Sequence, residues 1–113
     1  METQRQQKIN KLLQKDLSEI FQIEMRSVVP GVMVSVTKVV ITSDLSIARV
    51  YLSIFATTKK TESVEKIKTH TKEIRGHLGK RVGGQLRIIP NLQFFLDDSL
   101  DYLENIDNLL KNG

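Results

Sequence analysis

Two neighbouring runs, Val32–Thr42 and Ser46–Ala56, restrict this chain more than any other stretch, because their side chains repeat with the period of strands. In the first, Val32, Val34 and Val36 alternate with Met33, Ser35 and Thr37, as a half-buried strand requires. The second places Ala48, Val50, Leu52, Ile54 and Ala56 on one face and Ile47, Arg49, Tyr51, Ser53 and Phe55 on the other. Between them Ser43-Asp44-Leu45-Ser46 reads as a turn, so the two runs pair as a hairpin. The phase of the first run slips near Lys38, after which Val39, Val40 and Ile41 are consecutive. That slip predicts either a β-bulge or burial on both faces.

A hairpin with one apolar face needs a cover, and the flanking sequence supplies helices. From about Thr3 to Glu24, Ile9, Leu12, Leu13, Leu17, Ile20 and Phe21 recur at helical steps, and Pro30-Gly31 stops the helix. After the hairpin, Val64, Ile67, Ile74, Leu78 and Val82 mark a second helical stripe. It is interrupted at His70-Thr71, which predicts either a broken helix or two helices. Beyond Gly83-Gly84, Leu86–Ile89 and Leu92–Leu96 read as strand on either side of Pro90, which lacks an N–H and favours an edge position. Ser99 is placed to cap a last short helix carrying Leu100, Leu103, Ile106, Leu109 and Leu110.

The expected fold is therefore α+β, in the order helix, strand, strand, helix, helix, strand, with a helical tail over about residues 99–113. The last strand lies parallel to the second, which sits centrally, so the sheet is three-stranded and mixed. A right-handed crossover then puts all helices on one face and leaves the other partly exposed. At 113 residues and 40% hydrophobic content, the chain is one domain, 1–113, with enough apolar surface to fold alone.

The charge is unevenly spread. Lys59–Arg87 holds nine Lys and Arg against three Glu, a net +6, whereas residues 88–113 hold one lysine against five carboxylates, a net −4. A polyanion facing one side, nucleic acid above all, is the partner this asymmetry suits. With no cysteine, disulfides and thiolate metal sites are excluded, zinc ribbons and knuckles among them. Met1–Asn10 is polar where a signal peptide needs an apolar core, and no run approaches a membrane span. A soluble cytoplasmic protein is expected, monomeric and free of metal or cofactor.

Within the basic segment, Lys68, Lys72 and Arg75 stand four and three residues apart, on one side of a helix beside the apolar stripe, and Gly79 continues that side. They form either a ridge that tracks phosphates or an ordinary solvated face. Arg5, Lys8, Lys11 and Lys15 make a comparable stripe on the first helix. Gly76-His77-Leu78-Gly79 spells the G-x-x-G of RNA-binding KH domains. Too few residues separate it from Gly83-Gly84 for a second helix, so here it is a decoy. His70 and His77 have no nucleophile or second ligand at a useful spacing and read as surface or packing histidines. Asp97, Asp98 and Asp101 fit helix capping better than a metal site, and Tyr51, Phe55, Phe94 and Phe95 fit a core better than a stacking surface.

Asp44-Leu45-Ser46 followed by Ala48-Arg49-Val50-Tyr51, then Arg87, Pro90, Leu92, Phe94 and Asp97-Asp98-Ser99, resembles the bacterial ribosome-binding factor A family in order and spacing over nearly the whole chain. The resemblance implies a type II KH-like fold in which a kinked helix pair, marked in the family by Ala-x-Gly, replaces the G-x-x-G loop. This chain has His70-Thr71-Lys72 there. It further implies a non-catalytic assembly factor that binds free small (30S) ribosomal subunits, assists late maturation of 16S rRNA, matters most in the cold and works beside ribosome-maturation GTPases. On that reading Lys68, Lys72, Arg75, Lys80, Arg81 and Arg87 contact rRNA, with Arg5, Lys8, Lys11 and Lys15 as secondary candidates. The rival readings are a generic KH-type single-stranded RNA binder and, last, a small nucleic-acid-processing enzyme.

Overall fold

The structure, a computed structural model, describes residues 2–97. Its first element, α1 (Gln4–Ile23), begins at a capping box in which the Gln6 N–H donates to Thr3 Oγ1 at 3.1 Å and the Thr3 N–H donates to Gln6 Oε1 at 2.9 Å. Its apolar stripe buries Ile9, Leu13, Leu17, Ile20 and Phe21. Gly31, at φ 76°, turns the chain through the left-handed region into β1 (Met33–Ile41).

β1 pairs antiparallel with β2 (Ile47–Phe55), and the register shifts between Val36 and Lys38. Of the two explanations for the phase slip, the bulge is the one that occurs. It leaves Thr37 without an opposite residue on β2 and places Val36, Val39 and Ile41 on the same buried face. The hairpin turn is held by Asp44, whose Oδ1 accepts from the Thr42 hydroxyl at 2.7 Å, the Ser46 hydroxyl at 2.7 Å and the Ser46 N–H at 3.1 Å. Three donors stabilise the ionised carboxyl, chiefly the Thr42 hydroxyl and then those of Ser46, and lower its pKa to about 2. Leu45 is thereby held at φ 63°, unusual for a residue with a side chain.

The basic segment forms α2 (Lys60–Thr69) and α3 (Thr71–Val82), with His70 at φ −104° and ψ 15° ending one and starting the other. The break thus needs neither alanine nor glycine. Val64, Ile67, Ile74, Leu78 and Val82 are buried, as their spacing requires. β3 (Asn91–Leu96) then pairs parallel with β2, giving the order β1-β2-β3. Ala48, Val50, Leu52 and Ile54 of β2, with Leu92 and Phe94 of β3, meet α1, α2 and α3 in one core.

One expectation fails. Leu86–Ile89 is a loop, and the strand begins only after Pro90. The apolar residues of that run divide: Leu86 and Ile89 pack against the core from the side, whereas Ile88 is 71% exposed. The helix expected over 99–113, with its cap at Ser99, lies outside the described residues. Among the described residues no helix is long and apolar enough to cross a membrane.

Candidate nucleic-acid interface

A cleft of about 410 Å³ opens where the α2–α3 break faces β3, lined by Lys68, Thr71, Leu92, Gln93, Phe94 and Phe95. Among the described residues β3 is an edge strand. Its Asn91 N–H donates to Ser46 O at 2.8 Å and the Asp97 N–H just beyond it to Leu52 O at 2.7 Å, so strand alternation turns the main-chain groups of Leu92, Phe94 and Leu96 towards the outer edge. The cleft thus joins apolar walls, outward-facing peptide donors and acceptors, and cations on the adjoining helices. These are the elements a single-stranded nucleic acid requires.

The structure separates the six basic candidates by what they hold. Lys68, Lys72 and Lys80 are exposed, and of these three only Lys68 bridges a carboxylate, Glu65 at 3.1 Å. Such an exposed pair is weak and yields readily to a phosphate. The Arg75 guanidinium binds inside the molecule, donating from Nε to Pro90 O at 3.0 Å and from Nη2 to Ile89 O at 2.6 Å. Arg81 contacts Glu19 and lies 3.6 Å from Asp16, tying α3 to α1. Arg87 is remote from the cleft and meets Arg5 across a hollow of about 210 Å³ that also includes Ile9, Asp44, Leu45 and Ile88. Lys8, Lys11 and Lys15 remain on the solvent side of α1.

Gly76 and Gly79 fall inside α3 and form no loop. A Cβ at Gly79 would stand 3.7 Å from Ile89 Cγ1, so that glycine faces the chain's own loop, whereas Gly76 is open. His70 Nδ1 lies 3.0 Å from Glu73, and His77 Nδ1 lies 3.9 Å from Glu24. Asp97 accepts from the Thr37 hydroxyl at 2.6 Å, joining the end of β3 to the bulge of β1, while Asp98 and Asp101 are outside the described residues. Phe94 packs edge-on against Phe21 in the core, with centroids 6.1 Å apart. Phe95 does not share that fate, being 39% exposed on the sheet's other face.

The family model for ribosome-binding factor A matches residues 5–110. The chain belongs to the ribosome-binding factor A family. Ribosome-binding factor A of Flavobacterium johnsoniae is 55% identical over 111 residues, covering 97% of this chain and 85% of that protein. The Chlorobaculum parvum protein of the same name is 40% identical over 110 residues, covering 96% and 89%. The fold matches the crystal structure of ribosome-binding factor A from Thermus thermophilus with a TM-score of 0.68 at 21% identity, covering 80% of this chain and 94% of that one. It also matches, at a TM-score of 0.63 and 22% identity, coordinates for the Thermus thermophilus factor fitted into a cryo-EM map of a 30S complex, covering 79% and 91%.

Two structural features of this family member escape a reading by helical and strand period alone. Gln6, Asn10 and Gln14 stand at four-residue steps on α1, and their amides bond the backbone of β1: Gln6 to Ile41 O at 3.2 Å, Asn10 Oδ1 from the Ile41 N–H at 2.8 Å, and Gln14 to Val36 O and Thr37 O at 3.2 Å each. The signal was three amides in register beside an apolar stripe. The second feature is a row across the open sheet face, where the bulge brings Lys38 opposite Tyr51, itself opposite Phe95.

Proposed function

We propose that this chain is a non-catalytic ribosome biogenesis factor of the cytoplasm that binds free 30S subunits as a monomer and assists late maturation of 16S rRNA, beside the GTPases that act on the same particle. The observation that carries the reading is the set of exposed lysines on α2 and α3, Lys68 in the lining of the cleft beside β3 and Lys72 and Lys80 further along α3, in a chain whose relatives bear the name ribosome-binding factor A. Lysines at such positions neutralise phosphates without reading sequence, so choice of target falls to the shape of the immature subunit. Arg75 and Arg81 support the surface by holding its loop and its helix. The test is sedimentation with free 30S subunits and with complete ribosomes across a salt titration. Binding confined to free subunits, and abolished when Lys68, Lys72 and Lys80 are changed to Glu, is the expected result. Equal binding by parent and triple variant at every salt concentration overturns it. A short single-stranded RNA held as tightly as the subunit returns the chain to a generic KH-type binder.

A further inference from the structure

We propose that the open face of the sheet is a second RNA-binding surface, on which an unpaired nucleobase stacks against Phe95 beside Tyr51. Among the described residues, the helices cover the face that carries Ala48, Val50, Leu52, Leu92 and Phe94, and the side chains between them point the other way. Tyr51 and Phe95 are cross-strand neighbours on that side, with ring centroids 5.4 Å apart and planes 27° from parallel. The Lys38 ammonium lies 5.6 Å from the Tyr51 centroid on the far side of the row. The result is a cation, a ring and a second ring across three strands, in which Phe95 is 39% exposed. The adjoining row places Arg49 opposite Gln93, both exposed.

An apolar protein partner would leave the charges of Lys38 and Arg49 buried without a counter-ion, which is costly. RNA satisfies both: a base has a π-face for the ring whatever its identity, and its flanking phosphates suit the two cations. Gln93 supplies an amide that can donate to or accept from a base edge. The Asp97 carboxylate beside the row is already engaged by the Thr37 hydroxyl. Phe95 also lines the cleft at the α2–α3 break, so a strand leaving that cleft crosses the edge of β3 directly onto this face.

The inference extends the rRNA-binding reading, and its test separates the two. The chain has two tyrosines and no tryptophan, so Tyr102→Phe leaves Tyr51 as the sole fluorophore of its kind. That variant is titrated with an oligoadenylate of about eight nucleotides and with an abasic oligomer of equal charge. Saturable quenching of Tyr51 by the oligoadenylate alone is expected, with affinity falling roughly 5- to 150-fold on Phe95→Leu, which keeps apolar bulk without the ring. An unchanged melting transition for Phe95→Leu assigns the loss to the ring; Arg49→Gln, which buries nothing, then weakens the same complex. Absence of quenching, or equal affinity of parent and Phe95→Leu, overturns the proposal even if 30S binding persists. A photo-crosslinking residue at Gln93 that captures ribosomal protein rather than RNA on the subunit also overturns it.

Discussion

Arg75 and Lys72 stand on the same exposed flank of α3, yet only Arg75 is bound into the fold. Its two bonds to the carbonyls of Ile89 and Pro90 fix the loop that delivers the chain to β3. Arg75→Ala should therefore lower stability by about 1–3 kcal/mol, the value of charge-assisted bonds to backbone, whereas Lys72→Ala should stay within about 0.5 kcal/mol. Urea unfolding followed by circular dichroism separates the two; equal midpoints would show that the guanidinium does not hold the loop. Asp44 gives a pH signature. Its pKa is lowered to about 2 by the Thr42 and Ser46 hydroxyls, below the ordinary carboxylate value. A depressed folded-state pKa means stability that is fully present above the unfolded value and is lost as pH falls through the folded one. The gap in urea midpoint between parent and Asp44→Ala should hold steady from neutral pH down to about 4, then shrink towards pH 2.

At the scale of elements, α1 does more than cover the core. The bulge leaves Thr37 outside the register with β2, and Gln14 donates to both Val36 O and Thr37 O. Gln14→Leu should leave these acceptors unpaired and cost about 1–3 kcal/mol, with hydrogen exchange accelerating in β1 before β2. If exchange rises equally in both strands, the amide is not what secures the bulge. The strands, the two helix stripes, the bulge and the break at His70 were legible because each disturbs or keeps a simple period. Leu86–Ile89 was not, since four residues with apolar ends carry no period and each packs or exposes itself separately. Phe94 and Phe95 show the same limit: alternation places them on opposite faces, but only the position of the helices says which face is covered. The basic segment was legible by charge, although charge could not say that Arg75 and Arg81 would be drawn to carbonyls and carboxylates of the chain itself.

For the molecule as a whole, exposed Lys68 lines the cleft while exposed Lys72 and Lys80 stand on α3, and binding to a phosphate backbone releases counterions in proportion to the number of phosphates neutralised. Replacing Lys68, Lys72 and Lys80 by Ala should flatten the dependence of 30S binding on salt by about 0.7–0.9 in log–log slope for each phosphate that is no longer neutralised. A weakened complex whose slope is unchanged would mean that the lysines act through the fold. The parallel pairing of β2 with β3 has a kinetic consequence. β1 and β2 meet through residues as near in sequence as Ile41 and Ala48, but β3 reaches β2 only by matching Asn91 to Ile47, after both intervening helices have closed the loop. Distant pairings carry their entropy cost before any contact rewards it, so the hairpin zips early and β3 docks late. Of the three strands, β3, which borders the cleft, is thus expected to be the last secured during folding, so hydrogen exchange during refolding should protect its amides after those of β1 and β2.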